Sequence, residues 1–427
     1  MKIITKNRLF SSPVWKIFFS GIVIILAGLS ISCREEKIGP LPAKPTQTLL
    51  MYMPWSGPSQ PLTSYFLINV ADMEEAISAG ILDKERVLVF LATSPTRASL
   101  FELKYDKNKG ECVRKTVKEY ENHPYTTATG IATILNDMKR TAPANRYSMS
   151  IGGHGMGWLP VSKKTESSSP RASTSHSTPF RYHWETTDGP LTRFFGGSSV
   201  DYQTEITTLA EGIRQAGITM EYILFDDCYM SCVELAYDLR HVTRHLIAST
   251  SEVMAYGMPY RDMAIHMLGN IDYEGISQSF YDFYSSYSTP CGTIAMTVTE
   301  ELDSLASLMR EINTKYQWDT AKNSTLQKLD GYSPTIYYDL GDYVTKLCED
   351  SILLDKFNEQ LEKAVPSASR AHTLTFYSAL NGRRTAIHSF SGLTISDPST
   401  DTSHHVSDTK NQTAWFKATH LTDNGED

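Results

Sequence analysis

YSMSIGGHGMGW, at residues 147–158, joins an apolar strand-like run to a glycine-flanked histidine, His154. A second stretch, YILFDDCYMSC at residues 222–232, joins another apolar run to a cysteine, Cys228. Short apolar runs of this kind are typical of strands buried on both faces of a parallel sheet. If the two strands are parallel neighbours, His154 and Cys228 emerge at the same edge of the sheet. A thiol and an imidazole placed there can act together as nucleophile and base.

The rest of the chain predicts an α/β fold around these two strands. Strand–helix alternation with apolar strands is typical of a mainly parallel sheet that helices cover on both faces. An edge hairpin is predicted around residues 108–110, and the two latest strands at 374–377 and 388–390. The other predicted strands lie at residues 48–53, 87–91, 245–249 and 292–298, and the main predicted helices at 69–79, 129–139, 203–216 and 231–240.

The N-terminus has the features of a lipoprotein export signal. Basic residues precede an apolar run at 17–29, and small residues then lead into Cys33, which resembles the lipobox cysteine that bacterial lipoproteins acylate. We therefore expect a signal peptide at 1–32, palmitate at Cys33, a stiff proline-containing linker at 33–46 and a folded domain at 47–427. The alternative is an uncleaved signal anchor, for which the apolar run is short, because spanning a bilayer takes roughly 20 residues. The expected location is a bacterial membrane, on its periplasmic or cell-surface side, with the outer membrane favoured.

Composition and cysteine content limit which kinds of binding partner and functional site this chain is expected to have. The 427-residue chain is 41% hydrophobic with a net charge of -8, which supports a sizeable core and argues against nucleic acid as a partner. After Cys33 the cysteines are odd in number, so at least one thiol stays unpaired in an exported protein. No HExxH or CxxC pattern is present, and no metal ligands are assigned. The remaining cysteines are Cys112, Cys228, Cys232, Cys291 and Cys348.

The surroundings of Cys228 and His154 suit nucleophilic chemistry. A thiol attacks as thiolate, and the helix predicted at 231–240 would place its positive end behind the sulfur. The glycines around His154 allow a substrate backbone to approach closely, and the N–H of Gly155 is available to hold an oxyanion. Cys232, one helical turn further on, is interpreted as a core residue.

Several blocks of the sequence resemble the clostripain family of cysteine peptidases. The strongest are IGGHGMGW at 151–158 and LFDDCYMSCVELAYDL at 224–239. Weaker blocks fall in family order along nearly the whole mature chain: MYM at 51–53, RFFGG at 193–197, SE at 251–252, YDLGD at 338–342 and SGLTI at 391–395.

This resemblance implies a caspase-like fold, a three-layer α/β/α sandwich. It implies that His154 is general base and acid, that Cys228 is the nucleophile, and that the backbone N–H groups of Gly155 and Cys228 hold the oxyanion. Asp226 matches the family's pocket carboxylate and would pair with a basic P1 side chain of a protein or peptide substrate. Ser251 and Glu252 are expected to join it in substrate binding. Calcium is suggested by the resemblance alone.

The resemblance also implies maturation by a cut between the histidine and cysteine strands. Residues 162–200 are rich in Ser, Thr, Pro and Gly and contain Lys163 and Lys164, the first candidates for self-cleavage. A solvated insert without a processing role is the alternative.

Two features depart from the family pattern. Asp227 stands where the family has a small residue, although strand alternation predicts that it points away from Asp226 and Cys228. No acidic residue follows in the segment 253–260, which predicts a weakened preference for basic P1 residues. The alternatives to an endopeptidase are a catalytically inactive surface-binding lipoprotein on the same scaffold and a transpeptidase, in which an amine resolves the thioester.

Overall fold

A nine-stranded sheet forms the centre of the protein, with the strand order β10-β8-β7-β6-β5-β1-β2-β3-β4. The structure is a computed structural model that describes residues 45–57, 62–161, 196–399 and 410–420. Two further pairs, β11 with β12 and β9 with β13, lie outside the main sheet. In chain order the strands are β1 Gln47–Met53, β2 Arg86–Ser94, β3 Arg97–Asp106, β4 Glu111–Glu121, β5 Arg146–Gly152, β6 Met220–Asp226, β7 Thr243–Ala248, β8 Thr293–Val298, β9 Tyr338–Asp339, β10 Arg370–His372, β11 Thr375–Ser378, β12 Arg383–Ala386 and β13 Thr394–Ile395.

The central strands β7, β6, β5, β1 and β2 are parallel to one another, whereas β3, β4, β8 and β10 join the sheet through antiparallel pairing. The β3–β4 hairpin extends one edge of the sheet, as predicted. All seven residues of β1 are buried, because helices cover both faces of a parallel sheet. This arrangement confirms the predicted three-layer α/β/α class.

Helices lie on both faces of the sheet. One face is covered by α1, α5 and α6, and the other by the remaining helices. Within the described residues, none of the helices is long and apolar enough to cross a membrane. They are α1 Thr63–Ser78, α2 Ala128–Thr141, α3 Ile206–Gln215, α4 Val233–Leu239, α5 Tyr260–Met267, α6 Tyr273–Ser286, α7 Leu302–Lys315, α8 Leu340–Leu347, α9 Ser351–Ala364 and α10 Ala414–Thr419.

The sheet separates two apolar cores, as strand alternation requires. In β1, Leu50 and Tyr52 contribute to the core under α2, whereas Leu49 and Met51 face the core under α1. Burial on both sides holds the central strands rigidly. Their carboxyl ends therefore form a firm edge on which a site can be built.

Two predicted elements differ from the structure. The strand predicted at 388–390 is wrong: the strand that follows β11 is β12, at Arg383–Ala386. The reason is the tight turn at Asn381 and Gly382, which pairs β12 directly with β11. The pairing ends at Ala386, before residue 388. The helix predicted at 231–240 begins at Val233, after the capping residue Cys232.

Candidate active site

The register of β5 against β6 brings the two predicted catalytic residues to one edge. Gly152 is the Cα partner of Asp226, and His154 and Cys228 each follow two residues later. Because the strands are parallel, the loops that follow them leave the sheet at the same edge. Both side chains are fully buried, at 0% exposure. The loops that carry His154 and Cys228 therefore follow neighbouring strands at one edge of the sheet.

Gly155 brings the loop after β5 into direct contact with the loop after β6. A Cβ atom added at Gly155 would lie 2.2 Å from the carbonyl oxygen of Cys228, and 2.9 Å from both the Cys228 nitrogen and the Asp227 Cβ. Any side chain here would force the two loops apart, so glycine is required by close approach. The nitrogen of Cys228, one of the two predicted oxyanion donors, lies at this contact.

The sulfur of Cys228 contacts the segment that follows β7. The N–H of Val253 donates to Sγ at 3.2 Å, and Sγ lies 3.7 Å from the carbonyl oxygen of Val253. An N–H donor favours a sulfur that carries negative charge. The helix α4 begins five residues beyond Cys228, so Val253 supplies the nearer donor.

Tyr229, directly after Cys228, turns the chain sharply through a left-handed backbone conformation with φ of 59°. Non-glycine residues adopt this conformation rarely and at a cost, which the surrounding contacts must offset. The N–H of Tyr229 donates to Ser251 at 3.0 Å, and the N–H of Ser231 donates to Ser249 at 2.9 Å. These bonds fasten the cysteine loop to the segment after β7.

The two acidic residues before Cys228 contact different segments. An oxygen of Asp226 accepts the N–H of Met258 at 2.9 Å, whereas the Cβ of Asp227 faces Gly155. Both carboxylates are fully buried. Asp226 thus lies on the side of the segment 253–258, which also contacts the sulfur, and Asp227 lies on the side of the histidine loop.

Ser251 and Glu252 lie beside the cysteine loop and are bound to protein groups. The Ser251 hydroxyl is 3.1 Å from that of Thr293. Glu252 accepts hydrogen bonds from the Tyr229 hydroxyl at 2.7 Å and from the Ser378 hydroxyl at 2.6 Å. Its second oxygen accepts the N–H of Ala379 at 2.9 Å. These contacts tie Glu252 to the loop that carries Cys228.

Tyr337 is a site residue that the sequence pattern did not indicate. Its hydroxyl donates to the carbonyl oxygen of Met156 at 2.5 Å, and its ring stacks on Tyr229 with the centroids 4.9 Å apart. A Cβ at Gly157 would lie 2.8 Å from the same hydroxyl. The signal available in the sequence was only the block YDLGD at 338–342, immediately after Tyr337.

The remaining cysteines have environments that disfavour thiolate. Burial raises the pKa of Cys112 and of Cys291 to about 11. Burial also raises the pKa of Cys232 well above its usual value. All five cysteines of the described residues are unbridged. Cys232 is therefore an inert core residue, as the sequence predicted.

Other predicted sites are not described by the structure. Cys33, Lys163 and Lys164 lie outside the described residues. Within the described ranges, no group of three or more His, Cys, Asp or Glu side chains could hold a metal ion. No calcium ligand is therefore assigned among them.

Comparison with known proteins gives a consistent family and fold. The model of the Clostripain family, Peptidase_C11, matches residues 195–414. A secreted C11 cysteine protease from Bacteroides thetaiotaomicron, "iotapain", is 50% identical and aligns over 88% of this chain and 100% of its own, with a TM-score of 0.78. A clostripain from the same organism, solved with the peptide inhibitor BTN-VLTK-AOMK, is 56% identical over 54% of this chain and 100% of its own, with a TM-score of 0.51.

A more distant structure shows the same fold. An inactive zymogen C11 protease from Parabacteroides distasonis is 24% identical over 89% of this chain and 100% of its own, with a TM-score of 0.71. Among curated proteins, none matches this chain.

Proposed function

Because this chain belongs to the clostripain family of cysteine peptidases, we propose that it is an endopeptidase that works through a dyad of His154 and Cys228. Its substrates are proteins or peptides, as the family implies. The observation that carries the dyad is the register of Gly152 against Asp226, which gives both residues the same position beyond neighbouring parallel strands. The 50% identity to a secreted C11 cysteine protease supports a cysteine as the nucleophile.

The proposed reaction begins with attack of Cys228 on the scissile carbonyl carbon. His154 takes the thiol proton as the carbon–sulfur bond forms, and then gives it to the leaving amine as the carbon–nitrogen bond breaks. Water, deprotonated by His154, hydrolyses the resulting thioester and restores the thiol. The N–H groups of Gly155 and Cys228 would hold the oxyanion of each tetrahedral intermediate. The close approach of these two backbones supports that pairing.

Asp226 is the proposed recognition group for a basic P1 side chain. It is a buried carboxylate two residues from the nucleophile, and the segment 253–258 contacts both residues. A buried carboxylate favours a charged partner strongly when the pair is hydrogen-bonded. Ser251 and Glu252 would form part of the adjoining wall. The 56%-identical relative was solved with an inhibitor whose peptide, VLTK, ends in lysine, which supports this choice.

We further propose that the protein is held at a membrane outside the cytoplasm by a lipid on Cys33. The support is the sequence pattern at residues 17–33. Globomycin, which blocks processing of bacterial lipoproteins, should retain the longer precursor, whereas Cys33→Ala should lose the lipid and leave the membrane fraction. Incorporation of labelled palmitate measures the lipid directly. Equal incorporation into Cys33→Ala would contradict the anchor.

Maturation by a cut at Lys163 or Lys164 is the third part of the proposal. His154 and Cys228 are fully buried in the intact chain, which fits a form that awaits a cut. Wild-type protein should convert with time into two fragments, whereas Cys228→Ala and the double variant Lys163→Ala/Lys164→Ala should stay intact. Conversion of purified Cys228→Ala at the wild-type rate would refute self-cleavage.

The central experiment uses the lysine inhibitor BTN-VLTK-AOMK and an analogue in which norleucine replaces lysine. Wild-type protein should be inactivated by the lysine form, with the mass of the adduct on the peptide that contains Cys228. The norleucine form keeps the four-carbon chain and lacks the ammonium group, so it should react at least ten times more slowly. Equal rates would remove Asp226 from the proposal. Unchanged hydrolysis of a lysyl reporter by Cys228→Ala would remove the dyad.

A further inference from the structure

Two loops must keep a fixed distance for the proposed dyad to work, and no strand pairing joins them beyond Gly152 and Asp226. A displacement of about 1 Å between reacting groups can cost on the order of 10²-fold in rate. Something beyond the sheet must therefore hold the loop after β5 against the loop after β6.

Tyr337 contacts both loops with one side chain. On the histidine side, its hydroxyl donates to the carbonyl oxygen of Met156 at 2.5 Å, two residues from His154. On the cysteine side, its ring stacks nearly parallel on Tyr229, at an interplanar angle of 11°. Tyr337 is fully buried, so neither contact competes with water.

Tyr229, the residue on which Tyr337 stacks, is also held by a hydrogen bond from its hydroxyl to Glu252. Glu252 accepts the Tyr229 hydroxyl, and Ser378 and Ala379 hold Glu252 from the start of the β11–β12 turn. Tyr229 thus lies between a stacked ring and a buried carboxylate. These contacts offset the cost of its left-handed backbone, which sets the direction of the chain directly after Cys228.

The segment that presents Tyr337 is ordered by a buried carboxylate. Asp330 accepts the backbone N–H groups of Tyr332 at 2.8 Å, Ile336 at 2.8 Å and Tyr337 at 2.5 Å. Three bonds to one carboxylate leave the backbone of Tyr337 little freedom. Its side chain is therefore a pre-organised support rather than a mobile filler.

We propose that Tyr337 is a positioning residue that fixes the His154 loop to the Cys228 loop through Met156 and Tyr229. It touches neither the substrate nor the reacting atoms. The inference rests on the proposed dyad and adds the device that keeps the dyad aligned. Its loss should reduce the rate of the chemical step and leave substrate binding nearly unchanged.

Tyr337→Phe is the most selective test, because it removes the hydroxyl and keeps the stacked ring. We expect kcat for a lysyl reporter peptide to fall about tenfold with KM within twofold. Tyr337→Leu, which also loses the stack, should lower kcat about 100-fold. Folding is checked by the denaturant midpoint of each variant.

Tyr222→Phe is the matched control. Tyr222 is also a fully buried tyrosine whose hydroxyl donates to a backbone carbonyl, that of Met267 at 3.0 Å, near the opposite end of β6. It should lose stability comparable to that lost by Tyr337→Phe and keep the wild-type kcat. Equal kcat values for the two variants would overturn the positioning role.

The experiments distinguish a variant that fails to fold from a wrong proposal. If Tyr337→Phe does not accumulate as folded protein, comparison of Tyr229→Leu with Tyr229→Phe tests the same support. Both variants lose the bond to Glu252, and only Tyr229→Leu loses the ring on which Tyr337 stacks. A kcat that is several-fold lower in Tyr229→Leu than in Tyr229→Phe at constant KM supports the inference, and equal kcat values contradict it. Wild type and Cys228→Ala are assayed together. Activity that survives in Cys228→Ala defeats the dyad itself, whereas Cys228-dependent activity unaffected in the tyrosine variants defeats only the positioning role.

Discussion

The loops after β5 and β6 reach the same edge of the sheet by different physical means. The histidine loop comes close to its neighbour because Gly155 and Gly157 have no side chains. The cysteine loop is held by bonds to distant segments, from Val253 to the sulfur and from Tyr229 to Glu252. The conformation of the histidine loop depends on its own glycines, whereas that of the cysteine loop depends on hydrogen bonds to segments distant in the sequence. Substitutions should affect the two loops through different observables.

The largest effect is expected from filling the contact on the histidine side. Gly155→Ala places a methyl group 2.2 Å from the Cys228 carbonyl oxygen. Because that atom belongs to the backbone, the loops must separate, and kcat/KM for a lysyl reporter should fall about 100-fold or more. Gly110→Ala is the control: this hairpin tip has nothing within 4 Å, so alanine there meets only the cost of a left-handed backbone, with φ of 72°, and should leave kcat/KM unchanged. A Gly155→Ala protein with wild-type kcat/KM would show that the close approach is not needed.

A smaller change is expected from the carboxyl group that faces the same contact. Asp227→Asn keeps the shape and replaces a buried carboxyl group next to Cys228 with a neutral amide. Since a neighbouring carboxylate opposes formation of thiolate, kcat/KM at pH 6 should rise about three- to tenfold. The ratio of variant to wild type should shrink toward higher pH, where thiolate forms more easily. Activity lower than wild type at every pH would mean that Asp227 supports the loops rather than opposing the thiol.

The smallest effect on catalysis is expected behind the cysteine loop, at Glu234 in the first turn of α4. Burial raises the pKa of Glu234 to about 8. A raised pKa in the folded state means that the native protein binds this proton more tightly than the unfolded chain. Its contribution to the free energy of unfolding is thus fully present below the unfolded pKa and is lost as pH rises through about 8.

Glu234→Gln removes this titration and keeps an acceptor for the N–H of Ser396. The variant should be more stable than wild type by about 4 kcal/mol at pH 8 and by about 1 kcal/mol at pH 5. Denaturant unfolding at the two pH values measures the difference, and the reporter assay should show little change in kcat. A stability gain that is the same at both pH values would exclude the proton as its cause.

Iodoacetamide mapping compares the reactivity of the Cys228 thiol with that of the other cysteines. In protein that hydrolyses the reporter, Cys228 should be alkylated faster at neutral pH than Cys112 or Cys291, whose pKa is raised to about 11 by burial. The rate at Cys228 should fall on prior treatment with the lysine inhibitor, and those at the other cysteines should not. Alkylation of Cys228 no faster than of the others would favour an inactive binding protein.

The parts of the fold that were predicted correctly depend on local sequence patterns, such as apolar runs and turn residues. The apolar run of β1 indicated a strand buried on both faces, and Asn108 to Gly110 indicated the edge hairpin. The family and the prediction of a cysteine peptidase are confirmed by the family match and by the 50%-identical relative. The strand expected at 388–390 was wrong because a turn six residues earlier set the pairing of β12 with β11, which periodicity in a short window does not report.

The sequence by itself determined the class of sheet, the family, and the candidates His154, Cys228 and Gly155, because each depends on a run of neighbouring residues. Only the tertiary structure decided that Val253 contacts the sulfur, that Glu252 accepts from Tyr229, and that Tyr337 spans the two loops. These contacts join residues 23 to 181 positions apart along the chain. No local pattern encodes such a contact, because it exists only after the parallel strands have brought their carboxyl ends together.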